Sequence, residues 1–132
     1  MIYQSIFSSP IGEISAVSTE KGIAELSFST ILKKDAVLGE NKHLLQLKSE
    51  LKDYFSGKRK SFSVPLDPAG TDFQKRVWNE LMSIPYGKTR TYAEQAWAMD
   101  QPLAIRAIAA ANGQNPLPIL IPCHRVIGSN GS

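Results

Sequence analysis

The sequence predicts an α+β chain in two parts: a small N-terminal α/β domain with antiparallel strands (residues 1–68), and a helical C-terminal domain containing a helix-turn-helix (residues 69–132). Three observations carry that division. The first thirty residues fall into short β-forming stretches separated by turn chemistry. Later segments place apolar residues at helical spacing. Between the two, Asp67-Pro68-Ala69-Gly70 breaks the pattern. The 132 residues, 42% hydrophobic and 20% charged, suffice for a folded core and exclude disordered or low-complexity architectures.

Taken in order, the stretches around Ile2–Phe7, Ile14–Val17 and Ile23–Phe28 read as a three-stranded antiparallel meander. Ser8-Ser9-Pro10-Ile11-Gly12 and Glu20-Lys21-Gly22 supply its turns. Residues 30–42 are polar and read as loop or short helix. Leu44, Leu47, Leu51 and Phe55 then recur every three or four positions, predicting an amphipathic helix over 43–56 that stops at Gly57. Lys48, Glu50, Lys52 and Asp53 occupy its other faces, and His43 lies on what reads as a surface helix. Phe62 to Leu66 reads as a further strand.

Beyond the break, Thr71 or Asp72 caps a helix carrying Phe73, Val77, Trp78 and Leu81. It must end by Pro85, because the residue before a proline avoids the α region. Tyr86-Gly87-Lys88-Thr89 is a turn. Thr91 caps the next helix, with Tyr92, Ala93, Ala96 and Trp97 as packing surface, and Asp100-Gln101-Pro102 interrupts it. Leu103 to Ala111 is an alanine-rich helix stopped by Asn112-Gly113. Two short helices so joined form a helix-turn-helix pattern, although most helical hairpins bind no DNA.

The single cysteine excludes an intramolecular disulfide and every multi-cysteine zinc site, and it points to a reducing, cytoplasmic compartment. A net charge of +3 does not by itself establish nucleic-acid binding. The longest apolar stretch, near Ile119–Ile121, is too short to span a membrane, and no signal peptide is expected from the N-terminal pattern.

Pro122-Cys123-His124-Arg125-Val126 follows that apolar stretch. A lone cysteine commonly serves as a small buried hydrophobe. This one adjoins a histidine and an arginine, and a nearby cation favours thiolate over thiol. Buried His and Arg would both need partners, so the group suits a core poorly. Adjacent residues on an extended strand point to opposite faces, which argues against a Cys-His hydrolase dyad. Activation through a bridging water, or through a turn at this point, stays open.

Pro122-Cys123-His124-Arg125-Val126 resembles the active-site motif of the O6-alkylguanine-DNA alkyltransferases, the methylated-DNA–protein-cysteine methyltransferases. Further landmarks of that family stand in order: Gly70-Thr71-Asp72-Phe73-Gln74, Val77-Trp78, Ile84-Pro85-Tyr86-Gly87, Thr91-Tyr92, Arg106-Ala107-Ile108 and Asn115-Pro116. Tyr54-Phe55-Ser56-Gly57 and Pro65-Leu66-Asp67 match its first half more loosely, so the resemblance spans essentially the whole chain.

The resemblance implies a ribonuclease-H-like N-terminal domain and a DNA-repair transferase that acts once. It takes the alkyl group from O6-alkylguanine in double-stranded DNA onto Cys123, with O4-alkylthymine as a further candidate adduct. Base flipping and minor-groove helix-turn-helix binding are implied, as is a monomer that needs no metal, organic cofactor or membrane. His124 would polarise a water that deprotonates Cys123. Arg106 would fill the space of the flipped nucleotide; by residue type alone it is equally an exposed, solvated cation. Tyr92 would contact the flipped base, where otherwise it is a half-buried packing aromatic.

Asn115 would brace the helix-turn-helix against the active-site strand, where otherwise Asn-Pro is an ordinary turn. Val126 and Ser129 would line the guanine pocket. The sequence departs from the family at Asp100, Ala109 and Ala110, where glycine is common. It also ends at Ser132, where relatives continue with a glycine-rich loop, a helix and a glutamate that orients the histidine; the expectation is a C-terminal domain cut short. Non-repairing relatives and helix-turn-helix regulators are the alternatives, and the former typically replace the cysteine that stands here.

Overall fold

The computed structural model describes residues 1–128 and divides the chain into two compact units, Met1–Ala69 and one beginning at Gly70. In the first unit, β1 (Tyr3–Ser9) and β2 (Gly12–Ser18) form an antiparallel hairpin, and β3 (Ile23–Ser27) pairs antiparallel with β2. The segment expected to be loop or short helix contributes instead a two-residue strand, β4 (Val37–Leu38), parallel to β1. The sheet order is therefore β3-β2-β1-β4. Helix α1 (Lys42–Phe55) starts at Asn41, whose side chain accepts from the Leu44 amide, and Gly57 follows it at φ +81°.

Strand β2 is buried from Ile14 to Ser18, so both faces of the sheet are covered there. Leu44, Leu47 and Leu51 of α1 join Ile14, Ala16 and Ile23 in the buried apolar core. Gln4, 2% exposed, organises a polar counterpart by donating to Ser15 Oγ (2.6 Å) and the Ile31 carbonyl (3.0 Å). Its own oxygen accepts from the Lys33 amide at 2.6 Å, so one buried amide fixes the polar 30–33 segment.

Phe62 to Leu66 does not form the regular strand expected of it. It touches the sheet through one parallel bridge, Ile23 with Leu66, closed by Ile23 N donating to Pro65 O (2.9 Å) and Asp67 N donating to Ile23 O (2.8 Å). Gly22 permits this close passage: a Cβ there would collide with the Pro65 carbonyl and stand 2.9 Å from Leu66 N.

Two polar residues of α1 also differ from expectation. His43 is only 6% exposed, and its Nε2 lies 3.0 Å from the Glu20 carbonyl oxygen, which can only accept. Glu50 is 4% exposed and accepts from the amides of Ser63 (2.9 Å) and Val64 (3.1 Å), the Ser63 hydroxyl and Gln46. It ties α1 to the irregular 62–66 segment.

In the second unit, α2 (Asp72–Leu81) begins with a capping box in which Thr71 and Gln74 bond reciprocally. Strand β5 (Arg90–Thr91) leads directly into α3 (Tyr92–Ala98), where Thr91 and Glu94 form a second capping box. Helix α4 (Ile105–Gly113) packs Ile108, Ala111 and Asn112 inward. The Trp78 indole N–H donates to the Ala111 carbonyl at 2.8 Å, joining α2 to α4. Trp97 is 70% exposed, not the packing residue its helical phase suggests. No helix among the described residues is long and apolar enough to cross a membrane.

Burial alone would raise the Glu50 pKa, but the bonds from Gln46, Ser63 and Val64 outweigh it and hold the carboxyl below the ordinary 4.5. The stability this contributes is fully present above the unfolded value and is lost as pH falls through the lower folded one. Glu50→Gln should therefore flatten the acid limb of a urea-unfolding pH series below 4.5. At neutral pH it should cost about 1–3 kcal/mol, because Gln leaves donors unmatched.

Candidate functional site

Between α4 and the cysteine, the chain must present an apolar segment to the core without regular secondary structure. Asn115 solves this with one side chain. Its oxygen accepts from the Leu117 amide (2.9 Å) and its nitrogen donates to the Ile121 carbonyl (2.8 Å). The Ile121 amide in turn donates to the Leu117 carbonyl at 2.8 Å, so the segment closes on itself with Leu117, Leu120 and Ile121 buried. The closure has a conformational cost: Ile119 sits at φ +75°, a left-handed conformation that a β-branched residue resists.

Directly after this clamp, Cys123–Arg125 form a single 3₁₀ turn, with Cys123 N donating to Ile121 O (2.9 Å) and Arg125 N to Pro122 O (3.0 Å). The extended strand assumed for Cys123 and His124 is thus corrected to a turn. Proline at 122 and the strained loop before it leave no room for a regular ladder. Three residues per turn set neighbouring side chains about 120° apart. Among the described residues no hydrogen bond joins His124 to Cys123. The Cys123 thiol is free and half-buried, and His124 is exposed.

Arg125 anchors the far side of the turn. Its guanidinium donates to the Ile84 carbonyl at 2.7 Å and lies 5.7 Å from the Tyr86 ring centroid. The His124 pKa lies below the ordinary 6.5, first because its surroundings remove water from the ring and second because the Arg125 charge opposes a second cation. A neutral imidazole, able to accept a proton, is the outcome.

The chain leaves the turn as β6 (Val126–Ile127), which pairs parallel with β5: Arg90 faces Val126 and Thr91 faces Ile127. Thr91 is also the N-cap of α3, so the cysteine turn and the first helix of the helix-turn-helix are tied to the same two-stranded pairing. Across the helical hairpin, Gln95 and Asn112 form a reciprocal buried amide pair at 3.2 and 2.9 Å. Asp100 completes the turn after α3 at φ +57°, which explains physically why glycine is comfortable at that position.

The structure thus brings Cys123, His124, Asn115 and Val126 into one continuous segment. Tyr92 stands half-buried at the start of α3, and Arg106 stands exposed in the first turn of α4. Ser129 lies outside the described residues. Sequence reasoning missed Arg125 as an anchor and the Gln95–Asn112 pair. The available signal for that pair was a glutamine beside Ala96 on the inward phase of α3.

Comparison with known proteins agrees in both halves. Residues 2–68 match the description "6-O-methylguanine DNA methyltransferase, ribonuclease-like domain", and residues 72–132 match "6-O-methylguanine DNA methyltransferase, DNA binding domain". The chain belongs to the 6-O-methylguanine DNA methyltransferase family.

It is 46% identical over 134 residues to the methylated-DNA–protein-cysteine methyltransferase of Methanosarcina acetivorans, covering 98% of this chain and 86% of that protein. The constitutive enzyme of that name from Bacillus subtilis is 42% identical over 139 residues, covering 100% of this chain and 84% of the relative. Among solved structures, Mycobacterium tuberculosis OGT in complex with DNA superposes with a TM-score of 0.88 at 37% identity, covering 98% of this chain and 81% of that one. The α+β architecture, with a sheet domain followed by a helical domain, is the family's, and the activity class is that of a DNA-repair methyltransferase.

Asn115→Ala removes both clamp bonds and leaves the Leu117 amide and the Ile121 carbonyl unmatched. It should lower unfolding stability by about 2–4 kcal/mol in urea titration. Asn115→Asp keeps the acceptor for Leu117 but sets a carboxylate oxygen against the Ile121 carbonyl, so it should not rescue the loss.

Proposed function

We propose that this chain repairs double-stranded DNA by moving an alkyl group from O6 of guanine to Sγ of Cys123, once per molecule. The thiolate attacks the alkyl carbon opposite O6. A C–S bond forms as the C–O bond breaks, and the electron pair returns to the guanine, which takes a proton from water. Thiolate is the most nucleophilic side-chain species near neutral pH. The resulting thioether offers water no leaving group, so the protein is consumed. Nucleophile and electrophile are both supplied, and no cofactor is called on.

The observation that carries this reading is the half-buried Cys123 thiol, held in a fixed turn beside a histidine biased toward its neutral form. His124 accepts the thiol proton through a water, a route that suits two side chains with no bond between them. The acceptor domain comprises residues 69–132, with residues 1–68 as its α/β partner domain. Tyr92 and Arg106 act on the DNA: the first contacts the flipped nucleotide and the second occupies the space it leaves. The Val126 backbone and Ser129 recognise guanine, Asn115 holds the segment between them and the helices, and O4-alkylthymine is the further substrate. The protein acts as a monomer in the cytoplasm.

Incubation with a duplex carrying one O6-methylguanine should transfer a single equivalent of methyl and then stop. Cys123→Ala should bind the same duplex and transfer none. The transfer rate should fall as pH drops through the lowered His124 value, beneath 6.5, because the imidazole then holds its proton already. Turnover beyond one equivalent, or transfer by Cys123→Ala, overturns the proposal.

A further inference from the structure

Strand β1 has partners on both edges for only part of its length. Its β2 edge is paired from Tyr3 to Ser9, whereas β4 covers only Tyr3 and Gln4 on the other side. On that second edge the Ile2 carbonyl accepts from the Val37 amide (2.9 Å) and the Gln4 carbonyl from the Gly39 amide (3.1 Å). Alternate residues of a strand turn their backbone groups to the same edge, so Ile6 and Ser8 face outward in turn. Among the described residues nothing bonds to their N–H and C=O groups there. Such an open ladder is a template for a further strand.

Beside the same end of β1 lies a groove of about 480 Å³, bounded by the hairpin turn and the C-terminal half of α1. Phe7, Leu51 and Phe55 supply apolar lining, Lys48 and Lys52 supply cations, and no acidic residue lines it. Lys48, Leu51, Lys52 and Phe55 recur at helical spacing, so one face of α1 mixes the two characters. The Lys48 ammonium lies 5.4 Å from the Phe7 ring centroid and pairs with Glu40. Glu40 stands two residues beyond β4, so the chain's own short strand already sets an acid on this lysine. Lys52 has no ion-pair partner among the described residues.

We infer that the open edge at residues 6–8 and this groove together dock an extended acidic segment of a partner protein, which adds to the sheet beside β1. Its backbone bonds to Ile6 and Ser8, and one apolar side chain enters the groove against Phe7 and Leu51. Alternate residues of a strand share a face, so acids two positions to either side meet Lys48 and Lys52. Charge complementarity selects the occupant: the groove offers cations only, and β4 with Glu40 shows the same pairing within the chain. The surface lies in the first unit and does not depend on the chemistry at Cys123.

The probe is the peptide Ser-Glu-Thr-Phe-Thr-Glu-Ser, blocked at both ends and titrated into the isotope-labelled full chain. Saturable NMR shifts of the Ile6 and Ser8 amides are expected, with those of β3 unmoved. Replacing the peptide's Phe by Ala should weaken binding about tenfold, and replacing both Glu by Gln about fivefold. Lys48→Gln/Lys52→Gln should erase the preference for Glu over Gln while the rest of the spectrum, and so the fold, is unchanged. If the spectrum shifts throughout, Lys52→Gln alone repeats the test, since that side chain has no ion pair to lose. N-methylation of one alternate set of peptide amides should abolish binding and of the other set be tolerated, because only one set points at β1.

Equal effects of the two N-methylated sets overturn the added strand. A Gln peptide that binds as tightly as the Glu peptide overturns the acidic occupant. Unmoved Ile6 and Ser8 amides at millimolar peptide overturn the whole inference. Self-association of the chain through the same amides, without peptide, assigns the edge to a second copy and also overturns it.

Discussion

The second unit depends on a single amide side chain. Asn115 bonds to Leu117 at one end of an apolar loop and to Ile121 at the other, and everything after it inherits the position so fixed. The Cys123 turn starts two residues beyond the clamp. Arg125 then fastens the turn to the Ile84 carbonyl, and Val126 enters the pairing with β5. A reactive thiol needs a position set to a fraction of an ångström, and a loop cannot supply that without such anchors. The left-handed Ile119 shows the cost: the clamp and the buried neighbours over-determine a conformation the residue does not favour.

The same anchors explain how recognition and chemistry are joined. Thr91 belongs to β5 and caps α3, and β5 is the partner of the strand that leaves the cysteine turn. Displacing the first helix of the hairpin therefore displaces the site. The buried Gln95–Asn112 pair holds the two helices in one register, because a slip would leave two amides unmatched in the interior.

Much of this was legible in the residues. Thr71 and Thr91 announced their helices through cap chemistry. The leucines of α1 gave its inward face, and the order of turns gave the meander. What escaped were features made by long-range contact. Glu50 has the sequence pattern of a solvent-facing charge because its partners Gln46, Ser63 and Val64 lie one turn away or elsewhere in the chain, and His43 reads as surface because its partner, the Glu20 carbonyl, is equally remote. Residues 62–66 kept strand-like composition but meet the sheet at only one bridge. At the site, the motif gave the residue types in full. The 3₁₀ turn was not legible, because it arises from the Asn115 clamp and Pro122 rather than from any propensity of Cys-His-Arg.

The central claim is that Cys123 itself receives the alkyl group from DNA. Proteolysis and tandem mass analysis, after reaction with a duplex carrying one O6-methylguanine, tests it most directly. The account predicts one methyl-sized gain confined to the peptide containing Cys123, on its sulfur. A methyl group on any other residue, or an unmodified Cys123 peptide from protein that has restored the guanine, would contradict it.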